Sequence, residues 1–514
     1  MANTRTGFGA DGAKAVYERL KSDRNQYTTR AENNAAVTIP SIFPKDGDNA
    51  STKYTTPWQS VGARGLNNLA AKLMLALFPQ QTWMRLDISE WLEKQIVDDP
   101  SLREKAQQSL SMIERILMKF MEGNSYKVTL FEAIKQLVVA GNALLYLPEP
   151  TGEYTPMKLY KLSSYVVQRD GFGTMLQCVT LDKIAFAALP EDVRSKLSGE
   201  HKPDEQMEVY THCYLDDESN QYLKYEEIDG VEVEGTDASY PMDSCPFIPI
   251  RMIRQDGENY GRSYVEEFYG DLLSLERLQE SIVGFAMISS KVVGLVNPMG
   301  NTQVKRLSKA QTGDFVPGRA QDIEFLQLGK GSDFSVAKQT IDALEQRLSY
   351  VFMLNSAVQR GGDRVTAEEI RYVAQELQDT LGGIYSVLSQ ELQLSLIRVL
   401  LSQLQATKKI PELPKEAITP SVVTGLEAIG RGQDQQKLMD FANAMASLQA
   451  LSSNPDINVN VFTLRLANSM GIDTDGILLT DAEKAEKVAE SAVQTGAENF
   501  GGSLGAGAAA AATS

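Results

Sequence analysis

The sequence is short of the residues from which most catalytic and metal centres are built. It has two histidines, His201 and His212, and three cysteines, Cys178, Cys213 and Cys245, among 514 residues. No Cys-x-x-Cys pair occurs, which excludes zinc ribbons and histidine-rich metal sites. An odd, sparse cysteine set argues against a disulfide framework and for a reducing compartment. Positive charge is in deficit: 50 lysines and arginines face 67 aspartates and glutamates, a net charge of −17. A protein that grips nucleic acid over its whole surface needs a basic face, so only a local basic patch remains open. Long apolar runs are missing too. The most apolar stretch, LVVAGNALLYL from Leu137 to Leu147, is too short for a ~20-residue span and carries Asn142. The N-terminus, MANTRTGFGADGAK, has no apolar core of a signal peptide, so a soluble, intracellularly made protein is expected.

What is present is ordinary globular material, 43% apolar and 23% charged, enough for a large core. Residues 10–150 read as mostly helical. A first short helix has Ala15, Val16 and Leu20 on one face, and Pro40, Pro44 and Pro57 break the chain after it. An apolar helix with Leu66, Leu69, Leu73 and Leu77 in register stops before Pro79. A third spans about 102–121, and a fourth about 126–141, ending at Gly141. Residues 145–255 alternate short β-rich runs with turn residues and form an acidic β-rich module. From 262 to 293 apolar residues recur every three or four positions as one amphipathic helix, and another runs from about 336 to 358. The longest pattern, 366–405, opens on a Thr366/Glu369 capping box and would reach roughly 60 Å. Gly382 and Gly383 mark a bend in it, and its length calls for cover from other subunits or domains. Shorter helices are expected at 433–451, 459–470 and 481–495, then a low-complexity Ala/Gly tail.

Short motifs yield little chemistry. GFGADG, Gly7 to Gly12, follows the dinucleotide pattern but no strand precedes it, so a flexible terminal turn is expected. GGSLG, Gly501 to Gly505, has the serine-hydrolase spacing but lies in the tail, with neither histidine near in sequence. No Walker A, HExxH or EF-hand loop occurs, and DTDG at Asp473 to Gly476 lacks the alternating ligands of a calcium loop. His212 and Cys213 are adjacent in an alternating strand and point to opposite faces. Asp216, Asp217 and Glu218 read as a solvated turn. Two constellations remain. Residues 291–338 carry seven basic residues, Lys291, Lys305, Arg306, Lys309, Arg319, Lys330 and Lys338, against four acidic ones. The loop Gln359, Arg360, Gly361, Gly362, Asp363, Arg364 sets two arginines around a glycine pair. Either is a soluble charged loop or a contact for a polyanion.

Long runs of the sequence resemble one family. DGAKAVYERLKSDR, TPWQSVGARGLNNLAAKLMLALFPQQTWMRL, VTLFEAIKQLVVAGNALLYLPEP, MISSKVVGLVNP, FMLNSAVQR, RVTAEEIRYVAQELQDTLGG and GLEAIGRGQD are similar to the portal, or head-to-tail connector, proteins of T-seven-like short-tailed bacteriophages. The likeness runs from about residue 6 to 480.

The resemblance implies an α+β, predominantly helical portal fold, with twelve subunits forming a ring around a channel for double-stranded DNA. It implies a wing at 1–260, stem helices at 261–293 and 336–358, a clip at 294–335 and a channel loop at 359–364. A long helix at 365–405 would cross into a crown at 406–485, with 486–514 a remnant of the family's C-terminal barrel. Lys305, Arg306, Lys309, Arg319 and Lys330 would face tail proteins, the packaging terminase or DNA. Residues 359–364 would touch passing DNA without base readout. The partners implied are other copies of the chain, the terminase large subunit, tail adaptor and tube proteins, major capsid and scaffolding proteins, and internal core proteins. No membrane, metal, cofactor or catalytic residue is implied. The location is the virion, with host cytoplasm during assembly. Two alternatives stand beside this: a ring scaffold that never passes DNA, and a DNA-processing enzyme with carboxylates converging on Mg²⁺ in the acidic module.

Overall fold

The computed structural model describes residues 7–45, 47–49, 51–79, 83–89, 100–150, 155–197, 200–289, 294–300, 302, 304–325, 331–354, 381–411, 418–422, 441–444, 463 and 465–466. The chain divides into two compact units, Met1–Leu426 and Glu427–Ser514. The described residues of the second are all helical. The first is α+β and predominantly helical.

Among the described residues the first unit opens with the helices α1 (Ala13–Ala36), α2 (Val61–Leu77), α3 (Pro100–Gly123) and α4 (Tyr126–Ala140). The stripe Leu66, Leu69, Leu73 and Leu77 is fully buried, and Leu110, Ile113, Leu117 and Met121 are buried on α3. Helix α1 is far longer than the short helix expected, at 24 residues. From its midpoint at Arg24 onward it buries Arg24 and Asn34 along with Tyr27, Ala31 and Ala35. Arg24 donates to the Tyr17 hydroxyl at 2.7 Å and the Ser163 carbonyl at 2.8 Å. Polar residues hydrogen-bonded inside the core, Arg24 through one guanidinium nitrogen, interrupt the apolar period by which the helix would be recognised.

GFGADG is not a flexible turn. Gly7–Gly9 form a 3-10 turn seated on the β module, where a Cβ on Gly9 would fall 2.4 Å from the Tyr214 ring. The Ala13 amide donates to Glu227 at 2.5 Å. A distant carboxylate thus caps the positive end of α1, where Gly12 has no side chain to do so.

The β module is an antiparallel sheet built on β4 (Tyr165–Arg169), β5 (Met175–Ala185), β6 (Gln206–Asp216), β7 (Gln221–Ile228) and β8 (Val231–Glu232), with β9 (Ala238–Pro241) also pairing β7. His212 and Cys213 point to opposite faces. The imidazole meets Gln177 at 3.1 Å and Tyr225 at 3.2 Å, while Cys213 joins the main core. Asp216, expected in a solvated turn, accepts from the Ser219 amide and hydroxyl at 2.9 and 2.6 Å. A second sheet, in the order β10 (Phe247–Arg251), β2 (Asn142–Tyr146), β3 (Lys158–Tyr160), grows directly out of α4.

The turn from α4 into β2 is the knot of the unit. Gly141 sits at φ +73°, with the backbone of Arg262 and Ser263 2.5 Å from where a Cβ would be, so only glycine fits. Its carbonyl accepts from the Met252 amide at 2.9 Å. Asn142 donates to the Gly261 carbonyl at 2.8 Å and accepts from the Gly261 amide at 2.7 Å. Asn34 of α1 donates to the Val139 carbonyl and the Ser263 hydroxyl. That hydroxyl in turn caps the next helix by accepting from the Glu266 amide at 3.0 Å.

The single helix expected at 262–293 is two, α5 (Tyr264–Glu267) and α6 (Tyr269–Ser289), parted at Phe268. Residues 290–293 lie outside the described ones. Farther on, Gly382 (φ +49°) precedes α7 (Gly383–Leu388), which runs through a π-helical stretch at Ser389–Leu394 into α8 (Ser395–Ala406). Residues 366–380 lie outside the described part. The described portion needs no foreign cover. Leu388, Leu392, Leu396, Ile397, Leu400 and Leu404 are fully buried in the unit's own core. Glu391 binds Arg251 through the side chain and the backbone amide. Tyr385 reaches the Ala76 carbonyl and Gln403 the Leu147 carbonyl. Strand β13 (Ile418–Val422), grouped with 406–485 on the sequence, pairs antiparallel with β1 (Met84–Ile88) in this same unit.

Replacing Asn142 by alanine leaves the Gly261 amide and carbonyl buried without partners. The expected loss is ~2–4 kcal/mol, from two unmade bonds at ~1–2 kcal/mol each, read as a lowered urea midpoint with an unchanged slope.

Candidate functional site

Helix α6 packs antiparallel against α9 (Gly331–Val351). The pairing reads from contacts along its length. Tyr264 meets Phe352, Asp271 meets Arg347 at 3.4 Å, Gln279 donates to Glu345 at 2.8 Å, and the Phe285 ring packs tilted against Phe334 with centroids 4.5 Å apart. Helix α9 starts at Gly331, earlier than the expected 336, because its apolar stripe is extended by Phe334 against Phe285.

One end of the pair is locked. Leu272, Leu275, Leu348 and Phe352 are fully buried. Asn68 of α2 donates to the Phe352 and Met353 carbonyls at 2.9 Å, and Lys72 donates to Met353 at 3.2 Å. The Glu276 carboxylate accepts the Trp58 and Gln59 amides. Arg262, at the root, lies between Glu258 at 2.7 Å and Glu266 at 3.3 Å. Arg262, and then the Tyr27 hydroxyl at 2.6 Å, hold the Glu258 carboxyl below its ordinary range. Toward the other end the core runs out, leaving Val283, Ile288 and Val336 exposed.

Beyond that end the chain forms a small tip. Strands β11 (Gly294–Val296) and β12 (Ile323–Phe325) pair antiparallel. Asp322 is turned inward, where it accepts from the Thr302 hydroxyl at 2.9 Å, and its carbonyl accepts from the Asn297 amide. The Arg319 amide donates to the Thr302 hydroxyl at 3.1 Å, which ties the return strand to the root of a short helical turn, Val304–Leu307. Lys305, Arg306, Lys309 and Arg319 are all exposed. None has a carboxylate partner within 4.0 Å among the described residues. The tip is therefore more cationic at its surface than its composition implies, since Asp322 is spent internally. Met299 and Phe315 stand out in solvent beside these cations, Phe315 entirely so. Sequence reasoning passed over both, although an aromatic in a Gly- and Lys-rich loop is itself a docking signal. Lys330 and the loop Gln359–Arg364 lie outside the described residues.

Among its described residues the acidic module offers no converging site: no group of three or more His, Cys, Asp or Glu side chains is placed to hold a metal ion. Its carboxylates serve turns and ion pairs: Asp170 accepts the Phe172 and Thr174 amides, Glu226 pairs with Lys224 at 2.9 Å, and Glu234 with Lys196 at 2.7 Å. No described helix is long and apolar enough to cross a membrane.

Residues 10–478 match the family model for the bacteriophage head to tail connecting protein. The chain belongs to this connector family. The portal protein of Enterobacteria phage T3 is 66% identical over 513 residues, covering 99% of this chain and 96% of that one. The portal protein of Escherichia phage T7 is 65% identical over 517 residues, again covering 96% of its length. The portal protein of Enterobacteria phage SP6 is 29% identical over 455 residues, 87% of this chain and 86% of the relative. These are structural connectors rather than enzymes, and the chain is a connector of the T3 and T7 kind.

Two outcomes follow for the connector. Thr302→Val removes the donor that holds Asp322, and hydrogen exchange at 304–321 should accelerate about tenfold, the effect of ~1.4 kcal/mol, with the α6–α9 pair unchanged. Because the Glu258 carboxyl is depressed in the fold, its contribution is complete above the ordinary value of 4.5 and is lost as pH falls through the lower folded value. Glu258→Gln should therefore flatten the acid limb of the melting temperature against pH.

Proposed function

We propose that the chain assembles into a dodecameric ring at one capsid vertex. Its channel would carry double-stranded DNA inward during packaging and outward during ejection. One observation carries this: a cation-bearing tip projects from a helix pair whose other end is locked into a large core, in a chain that matches head-to-tail connectors from residue 10 to 478. In this reading residues 1–260 are the wing, the pair α6 and α9 the stem, the tip the clip, and 359–364 the channel loop. The C-terminal residues build the crown. The exposed Val283, Ile288, Val336 and Tyr350 support a ring, because a two-helix hairpin cannot bury both of its faces and a neighbouring subunit can.

The electrostatics fit passage rather than capture. A surplus of 17 negative charges keeps DNA from adhering along the conduit. Local cations at Arg360 and Arg364 touch phosphates weakly and read no bases. Lys305, Arg306, Lys309 and Arg319, with Lys330, form the docking rim, engaged by the terminase large subunit during packaging and by tail adaptor and tube proteins afterwards. The major capsid, scaffolding and internal core proteins are the partners on the head side. Assembly takes place in the host cytoplasm and the ring ends in the virion.

End-on electron micrographs of the purified chain should show rings with a bore that admits a DNA duplex. Closed rings without a bore would favour a scaffold that passes no DNA. Changing Arg360 and Arg364 together to alanine should lower DNA packaging or retention several-fold in an in vitro packaging assay. Unchanged packaging and retention remove both residues from the mechanism.

A further inference from the structure

The three cysteines have no part in DNA passage, yet the fold gathers them. Cys178 on β5 and Cys213 on β6 are direct cross-strand partners. Cys245, in the link between β9 and β10, brings its Sγ to 3.7 Å from that of Cys213. All three are free thiols. Their surroundings differ. Cys213 is wholly enclosed, and burial, then hydrogen bonding with Cys178 and Cys245, pushes its thiol well above the ordinary range. Cys245 instead borders a cavity of about 340 Å³, together with Met175, Tyr222, Met242 and Glu391. A water molecule occupies ~30 Å³ in the liquid, so a peroxide has ample room there.

We propose that Cys245 and Cys213 form an oxidant-responsive pair, closing to a disulfide when hydrogen peroxide enters this cavity. The Cys245 sulfur attacks one peroxide oxygen. An S–O bond forms, the O–O bond breaks, and the departing oxygen leaves as water, taking the thiol proton. The Cys213 sulfur then attacks the Cys245 sulfur. The S–S bond forms, the S–O bond breaks, and hydroxide leaves with the Cys213 proton as a second water. One peroxide is reduced to two waters and two thiols are oxidised to one disulfide.

Cys178 is the poorer partner for Cys213. Directly opposed strand residues hold their Cβ atoms ~4.5–5.5 Å apart, whereas a disulfide favours about 3.8 Å. Cys245 follows a 3-10 turn, Met242–Ser244, outside both sheets, where the backbone is free of ladder bonds that would resist a small shift. The bond would staple the six-stranded sheet to the link that enters β10. That strand ends at Arg251, which binds Glu391. The pair thus ties the β module to the helix that runs through the core of the first unit.

The test uses the full-length protein, treated natively with hydrogen peroxide, alkylated, digested and mapped by mass spectrometry without reduction. The expected result is a cross-linked peptide joining Cys213 to Cys245, with alkylatable thiols falling from three to one. A melting temperature raised by several degrees and reversal by dithiothreitol should accompany it. Cys178→Ser should keep the cross-link, and Cys245→Ser should abolish it. With Cys213→Ser, a sulfenic acid on Cys245 should be trapped by dimedone. Three thiols still reduced in native wild-type protein, a bond to Cys178, or a bond between chains would each overturn the proposal.

Discussion

A buried peptide group without a partner is costly, and the first unit is organised around satisfying several of them at one point. Gly141 turns the chain out of α4 in a conformation that leaves no space for a side chain. Asn142 then closes both hydrogen bonds of Gly261, and Asn34 bridges Val139 to Ser263. Three elements far apart in sequence meet there: α1, the α4–β2 turn and the start of the helix pair. The direction in which α6 leaves the core is set by this knot, because the same Ser263 hydroxyl that Asn34 holds also caps α5. Everything at the tip inherits its position from that departure.

The tip illustrates how a strongly acidic chain presents local positive charge. Its cations are not concentrated by number alone. Asp322 is withdrawn to hold Thr302, while Lys305, Arg306, Lys309 and Arg319 stay solvated. A carboxylate used as an internal strut gives the loop its shape and clears the surface of an opposing charge. At the root of the pair the arrangement is the reverse. Arg262 is enclosed by Glu258 and Glu266, and cation and carboxylates are matched where the structure must be rigid.

Much of this was legible beforehand. The leucine stripes of α2 and α3, the stop at Gly141, the strand-rich middle, the helix pair and the basic insert all follow from local periodicity and turn chemistry. The misreadings share one cause. The length of α1 escaped because Arg24 and Asn34 occupy buried positions. Phe268 interrupts the helix at 264–289 without a glycine or proline to announce it. The glycines of GFGADG looked like mobility and are instead the small residues that let the segment lie flat against Tyr214. For α1 and GFGADG a distant partner supplies what the local sequence lacks: Ser163 for Arg24, Ser263 for Asn34, Glu227 for the open end of α1.

By itself the sequence determined the kind of protein this is. Its scarcity of histidine and cysteine, its acidic balance and its long runs of likeness to connector proteins are properties of the chain, and no fold alters them. Only the tertiary structure decided which polar residues are structural, which cations remain free, and that three scattered cysteines lie side by side. Those facts depend on contacts between residues far apart in the chain: Ala13 and Glu227 are 214 positions apart, and Ala76 and Tyr385 are 309. A linear pattern records period and composition but not which group will sit within hydrogen-bonding reach of another.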